Sequence, residues 1–193
     1  MTRTVPRVPS HEDPVIRSAR LVIRPLGLDD APRLQAVFEA TPDHFAVVAG
    51  QAATPESAAH ELRESAARPG REVALISLAD GTDAGALGWW AAHPEPDVAL
   101  LGMILVAPAH RGAGVAREAL SALEARLAAQ GIRRLRTAFQ RRRLAIHPVV
   151  KALGFAEMSI REHTRLGLAG ASISLWEKAI ENGNYLPHAE TQR

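Results

Sequence analysis

The feature that most constrains this chain is an abrupt change of character within residues 101–120, LGMILVAPAHRGAGVAREAL. The segment from Val98 to Val106 is almost entirely apolar, which is typical of a strand buried on both faces of a sheet. HRGAGVA follows, and small, apolar and charged residues then alternate at helical spacing. The pattern predicts a central strand that meets a long helix through Gly112 and Gly114, with Arg111 in front of them.

This junction has the chemistry of an anion site. A helix N-terminus presents backbone N–H groups without intrahelical acceptors, and its dipole adds about half a positive charge. Glycine has no Cβ, so a ligand can approach the backbone closely and unusual dihedral angles cost little. Arg111 can add a charge-assisted hydrogen bond. The junction therefore predicts a cradle for a phosphate or diphosphate, although the same glycines also suit a tight turn without a ligand.

Two other phosphate-binding motifs do not fit the residues. The chain has no G-x-x-x-x-G-K-[ST], which excludes a nucleoside-triphosphate loop of that type. The sequence GAGVAR begins like a dinucleotide fingerprint, but Arg117 stands at the third small position. Moreover, no strand ending in an acidic residue follows about twenty residues later.

Composition restricts the remaining classes. A chain of 193 residues with 47% hydrophobic content can bury one substantial core. Its pI of about 9.6 accompanies a formal net charge of only +2, which argues against nucleic-acid binding through bulk charge. The absence of Cys excludes disulfides, thiol nucleophiles and zinc ribbons. No apolar run reaches the about 20 residues of a membrane span, and the first residues lack the apolar centre of a secretory signal, so we expect a cytoplasmic protein without a membrane partner.

Hydrophobic periodicity predicts a strand, two helices, three strands, a helix, a strand, a helix and two strands. This order favours one mixed α/β domain over residues 18–180, after a disordered lead-in at 1–17 and before a polar tail at 181–193. The specific expectations are a strand at Leu21–Ile23, a helix capped by Asp29 or Asp30 that buries Leu34, Val37 and Phe38, a helix capped by Thr54, a long helix closed by Gly131, and two closing strands at 155–166 and 171–180.

The junction resembles the acyl-CoA pyrophosphate signature of the GNAT acyltransferase superfamily. That signature is [QR]-x-x-G-x-[GA], and it stands here as Arg111-Gly112-Ala113-Gly114-Val115-Ala116. MILVAP, just before it, resembles the family's fourth strand. Other segments are similar to the family's first strand and helix, to its short helix leading into LGF, and to its last strand: ARLVIRPLGLDDAPRL, RRLAIHPVVKALGF and LWEKAI. The resemblance covers roughly residues 18–180.

The resemblance implies both a fold and a co-substrate. The fold would be mixed α/β, with a mostly antiparallel central sheet flanked by helices and splayed between its fourth and fifth strands. The pantetheine arm of acetyl-CoA would lie in that gap, and one N–H there would polarise the thioester carbonyl. The resemblance implies coenzyme contacts at Met103, Ile104, Leu105, Val106, the signature residues 111–116, and Arg143, which replaces an asparagine that often opens the short helix.

The resemblance also implies direct attack of a neutral amine on the thioester. A base would deprotonate the amine, and a donor would protonate the departing thiolate. The family's usual donor, a tyrosine on the short helix, aligns with Val149 and Val150, and the chain's one tyrosine is Tyr185 in the tail. The usual acid is therefore missing.

Three other side chains are candidates for proton transfer. His147 lies one turn from the missing tyrosine and titrates near neutrality, although it also suits a solvent-facing helix position. Asp97, at the mouth of the central strand, is a candidate base or simply a turn former in PEPD. His93 is a third candidate. No pair of histidines has metal-ligand spacing, so we expect no metal.

Two further features leave alternatives open. A basic cluster around the next strand could bind the 3′-phosphate of CoA, an acidic acceptor or RNA, or could be a solvated face: Arg133, Arg134, Arg136 and Arg141–Arg143. Trp89 and Trp90 lie on opposite faces of a predicted strand. One is expected in the core, and the other at the acceptor pocket or at a homodimer contact.

Taken together, the residues and the resemblance predict an N-acetyltransferase that uses acetyl-CoA and a small-molecule or peptide primary amine. The start of the chain resembles the branch that acetylates protein N-termini, such as those of ribosomal proteins. One alternative is a CoA-binding or sensing module without turnover, which the missing tyrosine favours. Another is an RNA-binding domain, which 4% aromatic content disfavours because single-strand binding uses stacking platforms.

Overall fold

The computed structural model describes residues 15–48, 50–168 and 172–180. Their strands are β1 Ile16–Arg17, β2 Leu21–Pro25, β3 Arg71–Leu78, β4 Asp83–Trp90, β5 Val98–Val106, β6 Arg134–Gln140, β7 Ala156–Glu157 and β8 Ile173–Ala179. Their α-helices are α1 Ala31–Ala40, α2 Pro42–Val48, α3 Ser57–Ala66, α4 Val115–Ala129, α5 His147–Ala152 and α6 Ile160–Arg165.

The strands form one mixed sheet in the order β1-β2-β3-β4-β5-β6-β8-β7. Neighbouring strands are antiparallel except β5 and β6, which are parallel. The predicted fold class, mixed α/β with a mostly antiparallel sheet, is therefore confirmed. Because β1 adds a strand at the front, the family's fourth and fifth strands are β5 and β6 here.

Two hydrophobic layers enclose the sheet. On one face, α1 and α3 pack against Val73, Leu75 and Leu105, and the expected inward residues of α1 are all buried. On the other face, α4 packs against alternate residues of the same strands, including Ala74 and Ile76. Alternation along β3 thus supplies both layers, as expected for a strand covered on both faces. Trp89 is 2% exposed and belongs to this second layer, which confirms one tryptophan in the core.

The helix α4 ends where the sequence predicts. Gly131 has a φ of +84°. Its amide donates to the Ala128 carbonyl, and the Ile132 amide donates to the Leu127 carbonyl, at 3.0 Å each. These two bonds form a Schellman motif and satisfy carbonyls that the helix end leaves open. No helix in the described ranges combines the length and the apolar character that crossing a bilayer requires.

Several predicted boundaries are wrong. The expected lead-in at 1–17 runs too far, because Ile16 and Arg17 pair with β2; residues 1–14 and the expected tail at 181–193 lie outside the described residues. The helix expected to be capped by Thr54 begins at Ser57, whose hydroxyl accepts the Thr54 amide at 2.9 Å. The helix α2 was not predicted.

The predicted strand at 155–166 is also wrong. Only Ala156–Glu157 is extended, and α6 follows it. Ser159 and Glu162 form a capping box, in which the Glu162 amide donates to the Ser159 hydroxyl at 3.3 Å and the Ser159 amide donates to the Glu162 carboxylate at 2.6 Å. The S-x-x-E spacing was visible in the sequence and favours a helix start over a continued strand.

Candidate active site

The cleft that defines the site lies between the two parallel strands. Paired residues run only from Val98–Leu101 on β5 to Arg134–Thr137 on β6, and beyond them the strands diverge. The register between β4 and β5 shifts at this same level, which leaves Gly102 as a bulge. On the side toward β6, the backbone of 102–106 therefore has no strand partner among the described residues.

The diverging strands, α2, the β5–α4 loop and α5 enclose a cleft of about 810 Å³. Nine of the eleven residues expected to contact the coenzyme line it: Met103, Ile104, Leu105, Val106, Arg111, Gly112, Gly114, Val115 and Ala116. The two that do not are Ala113 and Arg143. The structure thus brings the predicted pantetheine and pyrophosphate segments together along one open cleft.

The β5–α4 loop leaves its amides free. Gly112 and Gly114 have φ angles of +75° and +80°, which only glycine adopts without strain. No acceptor among the described residues bonds the amides of residues 112–117. A Cβ placed on Gly112 would meet no atom within 4 Å, so the space in front of the loop is open. Free amides at the start of a 15-residue helix suit a diphosphate.

A side chain that the sequence did not single out holds this loop. Arg20 donates from Nη2 to the Ala113 carbonyl at 3.0 Å and from Nε to the Glu118 carboxylate at 2.7 Å. The Ser18 hydroxyl binds the same carboxylate at 2.7 Å. Glu118 lies in the first turn of α4, where its charge would otherwise face an incoming anion. These contacts join residues about a hundred positions apart, so no local pattern could have found them.

Arg111 is engaged within the protein. Its Nε donates to the Val106 carbonyl at 2.9 Å, and its two terminal nitrogens donate to the Asp43 carboxylate at 2.8 and 2.9 Å. The Arg111 hydrogen bond lowers the pKa of Asp43. Arg111 therefore lies at the cleft as predicted, but it ties the loop to α2 rather than presenting a free cation.

The helix α2 contributes a second residue that the sequence analysis missed. His44 lines the cleft beside Asp43, and no group among the described residues hydrogen-bonds its ring nitrogens. Burial lowers the pKa of the His44 imidazole, so the ring is neutral at pH 7 and able to accept a proton. The dipeptide Thr41-Pro42 could have indicated this helix, because proline is favoured in the first turn of a helix. A helix that begins at Pro42 includes Asp43 and His44.

The structure does not bring His147 into the cleft. Its ring packs against Phe139 and Trp176, with centroids 5.5 and 5.1 Å away, and its Nε2 is buried without a hydrogen-bond partner in the described part of the chain. The neighbouring Val149 and Val150, at the position of the family's tyrosine, do line the cleft. The predicted proton donor is thus in the aromatic layer, and the lining side chains at the tyrosine position carry no hydroxyl.

Asp97 lies at the opposite, paired end of β5. Arg134 binds its carboxylate at 3.0 Å and lowers the pKa of Asp97 by that hydrogen bond. Asp97 is not among the cleft residues. A carboxylate that is ionised, paired and remote is poorly suited to deprotonate an amine in the cleft. His93 is remote as well, since it stacks on Trp90 with centroids 3.5 Å apart.

Five of the six arginines in the predicted basic cluster, all except Arg133, divide into two parts. Arg136 is 3% exposed and binds Glu95 at 2.7 Å and Glu177 at 2.5 Å, while Arg134 binds Glu95 at 2.6 Å in addition to Asp97. We call these five residues the closed-end ion network. The Arg136 hydrogen bond lowers the pKa of Glu95. These two arginines are internal ion-pair partners rather than a free basic face.

Arg141, Arg142 and Arg143 differ from them. Within the described ranges, none of these arginines forms an ion pair with a carboxylate. Their bonds go to the Ile173 carbonyl, the Gln140 side chain and the Ala46 carbonyl, respectively. Arg142 and Arg143 line a second, open pocket of about 660 Å³, which also includes Ala46, Gly50, Leu144 and Ala145.

Comparison with known proteins agrees with this geometry. Residues 20–156 match the family model described as an acetyltransferase (GNAT) domain. An acetyltransferase from Thermus thermophilus superposes with a TM-score of 0.68 and 25% identity, over 86% of this chain and 99% of that one. No curated protein matches the chain.

Two further structures share the fold at lower identity. One is an acetyl transferase of Salmonella typhimurium that modifies the N-terminal serine of the ribosomal subunit protein L7/L12 (TM-score 0.67, 20% identity, 87% of this chain and 100% of that chain). The other is a ribosomal L7/L12 alpha-N-protein acetyltransferase in complex with coenzyme A (TM-score 0.67, 17% identity, 88% and 99%). Since the family model spans most of the sequence and the cleft carries its pyrophosphate signature, the chain belongs to the GNAT acetyltransferase family.

Proposed function

We propose that this acetyltransferase transfers the acetyl group of acetyl-CoA to a primary amine by direct attack on the thioester. The observation that carries the proposal is the cleft itself: two parallel strands part next to a helix N-terminus whose loop amides have no acceptor among the described residues. A diphosphate would occupy the loop, and an extended arm would fill the gap between the strands.

The residues present fit coenzyme A. The open space before Gly112 admits a phosphate oxygen within hydrogen-bond reach of the loop amides. The unpaired edge of β5 offers backbone groups to the amides of a pantetheine arm, and the apolar side chains Ile104, Val149 and Val150 flank it. Bound acetyl-CoA supplies an acetyl group activated as a thioester.

The protein's own residues would then accept one proton from the acceptor amine. An acceptor amine that is protonated in solution must lose one proton to become a nucleophile, and we assign that proton to His44, directly or through water, because its neutral imidazole lies in the cleft without a hydrogen-bond partner among the described residues. As the amine nitrogen then forms its bond to the carbonyl carbon, the carbon–sulfur bond breaks, and the nitrogen releases a second proton to solvent. An N–H of the β5 edge would stabilise the charge on the carbonyl oxygen. Solvent would protonate the sulfur, since the tyrosine position holds Val149 and Val150.

The amine acceptor is proposed to be a protein or peptide N-terminus or a small amine. Support for the first class comes from the Salmonella relative that modifies an N-terminal serine and shares this fold. A second candidate function, coenzyme binding without turnover, is favoured by the lack of a hydroxyl at the tyrosine position. Both functions require the coenzyme site, and only one requires an acceptor.

Two measurements test the proposal. CoA should raise the melting temperature, and free thiol should be released from acetyl-CoA when a serine-initiated peptide or a small primary amine is added. The amine product should gain about 42 Da, because an acetyl group replaces a proton. No stabilisation by CoA would refute the coenzyme site. Stabilisation without thiol release across peptides, amino acids and polyamines would favour the binding module instead.

A further inference from the structure

The second pocket adjoins the cleft and includes Ala46 of α2. The helices α1 and α3 cover one face of the sheet, and α4 covers the other. Phe45 packs into the α1–α3 layer, with its ring centroid 4.8 Å from that of Phe38, so α2 belongs to that face. A molecule held against α2 would therefore lie on the face of the sheet opposite α4, although α2 also contacts the coenzyme loop through Asp43 and Arg111.

One helix connects the pocket to the candidate base. The helix α2 contributes His44 to the cleft and Ala46 to the second pocket, two residues further along. Ala145 lines both spaces, which makes them neighbours. Because the two spaces adjoin at Ala145, a molecule long enough to run from His44 past Ala145 would reach the second pocket.

The pocket wall is built to receive negative charge. Arg142 and Arg143 line it, and within the described ranges no carboxylate pairs with either. Arg143 is held by its donation to the Ala46 carbonyl at 3.3 Å, while its Nε is buried and has no described acceptor. Guanidinium groups suit carboxylates and phosphates in particular, because their N–H groups match two oxygens at once.

From this arrangement we infer that the acceptor carries an anionic group, a carboxylate or a phosphate, which Arg142 and Arg143 bind while its amine faces the cleft. The inference rests on the proposed acetyl transfer to an amine and names the class of that amine. It is independent of the pyrophosphate loop, because none of residues 111–116 lines the second pocket. The pocket also has no aromatic residue among its described lining, so it lacks the stacking platform that single-stranded RNA uses.

The experiment compares acceptors that differ only in charge. The full chain is assayed for thiol release with the peptide amides Ser-Asp-Asp, Ser-Asn-Asn and Ser-Lys-Lys. We expect kcat/KM for the acidic peptide to exceed that for its uncharged twin by at least about 10-fold, the value of one charge-assisted contact. The difference should lie in the KM for the peptide. Equal values for the three peptides would overturn the inference and leave the proposed function intact, whereas no thiol release with any amine would remove the function.

Three single variants locate the effect. Arg142→Gln and Arg143→Gln should each raise the KM for Ser-Asp-Asp amide about 10-fold and leave Ser-Asn-Asn amide unchanged. Arg141→Gln is the matched control, because it removes the same charge from the same segment but does not line the pocket. Arg142→Glu should invert the preference toward Ser-Lys-Lys amide, which a folding defect would not do.

The same variants separate the acceptor from the 3′-phosphate of the coenzyme. If Arg142 and Arg143 bind the acceptor, the KM for acetyl-CoA should stay within about 2-fold of wild type, and acetyl-dephospho-CoA should respond to the variants as acetyl-CoA does. A rise in the KM for acetyl-CoA that disappears with acetyl-dephospho-CoA would assign the arginines to the coenzyme and overturn the inference.

Discussion

The two ends of the β5–β6 pair differ in whether their polar groups are bonded within the protein. At the closed end, Val98–Leu101 and Arg134–Thr137 are paired in register, and the closed-end ion network satisfies its charges among its own members. At the open end the strands separate, the amides of 112–117 have no described acceptor, and the ring of His44 has no hydrogen-bond partner in the described chain. One end is internally satisfied, while the other leaves polar groups for a ligand.

This contrast shows how a single strand pair can carry both stability and binding. A backbone or charged group that is hydrogen-bonded within the protein is not available to bind a ligand. A group without a partner is available, but its missing bond lowers the stability of the free protein. Because both ends belong to the same two strands, the paired backbone of the closed end holds the open end in position. Substitutions at the two ends should therefore act on different observables.

The largest effect should come from filling the open end. Gly114→Trp adds an indole to a loop residue that lines the cleft, with its Cβ 3.5 Å from Nη2 of Arg20, and we expect CoA affinity to fall more than about 100-fold, or about 2.7 kcal/mol. The positive φ adds a destabilisation of about 1–2 kcal/mol. Gly81→Trp is the matched control, since Gly81 has a φ of +87° and open space around it but lies in the β3–β4 turn. Isothermal titration with CoA measures both.

Gly81→Trp should lose similar stability and keep CoA affinity. If both variants bound CoA as wild type does, the loop amides would not be the diphosphate site. If both lost binding equally, the effect would be one of stability alone.

The second largest effect should appear at His44. Because its lowered pKa keeps the imidazole neutral, wild type can deprotonate the amine at pH 7, and His44→Gln should lower kcat by about 100-fold there. An α-amino group has a pKa of about 7.7–8.0 and needs no base once it is neutral. The deficit should therefore shrink as pH rises above that range. The measurement is the kcat profile for Ser-Asp-Asp amide between about pH 6 and 9.5, with His60→Gln, on the outer surface of α3, as the control.

A constant ratio of wild-type to His44→Gln kcat across that pH range would contradict a proton-accepting role. A change confined to the KM for the peptide would reassign His44 to acceptor binding.

The closed end should respond in stability and leave binding unchanged. Glu177→Gln removes one carboxylate from Arg136, whose guanidinium is 3% exposed, and we expect a loss of about 2 kcal/mol in the free energy of unfolding. Urea titration gives the free energy of unfolding, and CoA affinity measured below the transition should stay within about 2-fold of wild type. A large loss of CoA affinity with unchanged stability would mean that the two ends are not separable.

The features that the sequence predicts correctly are local ones that depend on the backbone. The bounds of β5, the glycine turn and the Gly131 cap follow from apolar runs and glycine positions, and the structure places them as expected. The splay of the sheet came from the resemblance, because the point where two strands part depends on pairing over a distance and on a bulge at Gly102 that no local pattern marks.

Side-chain roles were harder to predict because they depend on direction. His147 was a sound candidate by spacing, but its ring turns into the aromatic layer beside Trp176, while His44 faces the cleft from a helix that was not predicted. The six arginines looked alike in sequence. Only the fold shows that Arg136 meets Glu177 across β6 and β8, whereas Arg142 meets no carboxylate in the described residues.

The smallest effect should come from the residue that holds the loop without touching the ligand. Arg20→Met removes the positive charge beside the Glu118 carboxylate in the first turn of α4, where a negative charge opposes a bound diphosphate, and releases the Ala113 carbonyl. The Ser18 hydroxyl and the backbone amide of residue 20 still donate to that carboxylate. We expect CoA affinity to fall about 5-fold, with a stability loss of at most about 1 kcal/mol because the pair is exposed. Arg33→Met, which breaks the comparable two-bond pair with Asp83, should cost as much stability and no affinity.

The cause of that loss can be separated from a change in loop shape. If the unpaired negative charge of Glu118 is responsible, the double variant Arg20→Met, Glu118→Gln should bind CoA more tightly than Arg20→Met alone, because the repelling charge is gone. The gain should shrink at about 0.5 M NaCl, since salt screens exposed charges. If instead Arg20 acts by fixing the Ala113 carbonyl, the double variant should bind as weakly as the single one at every salt concentration. Either result shows whether charge or geometry prepares the open end for the coenzyme.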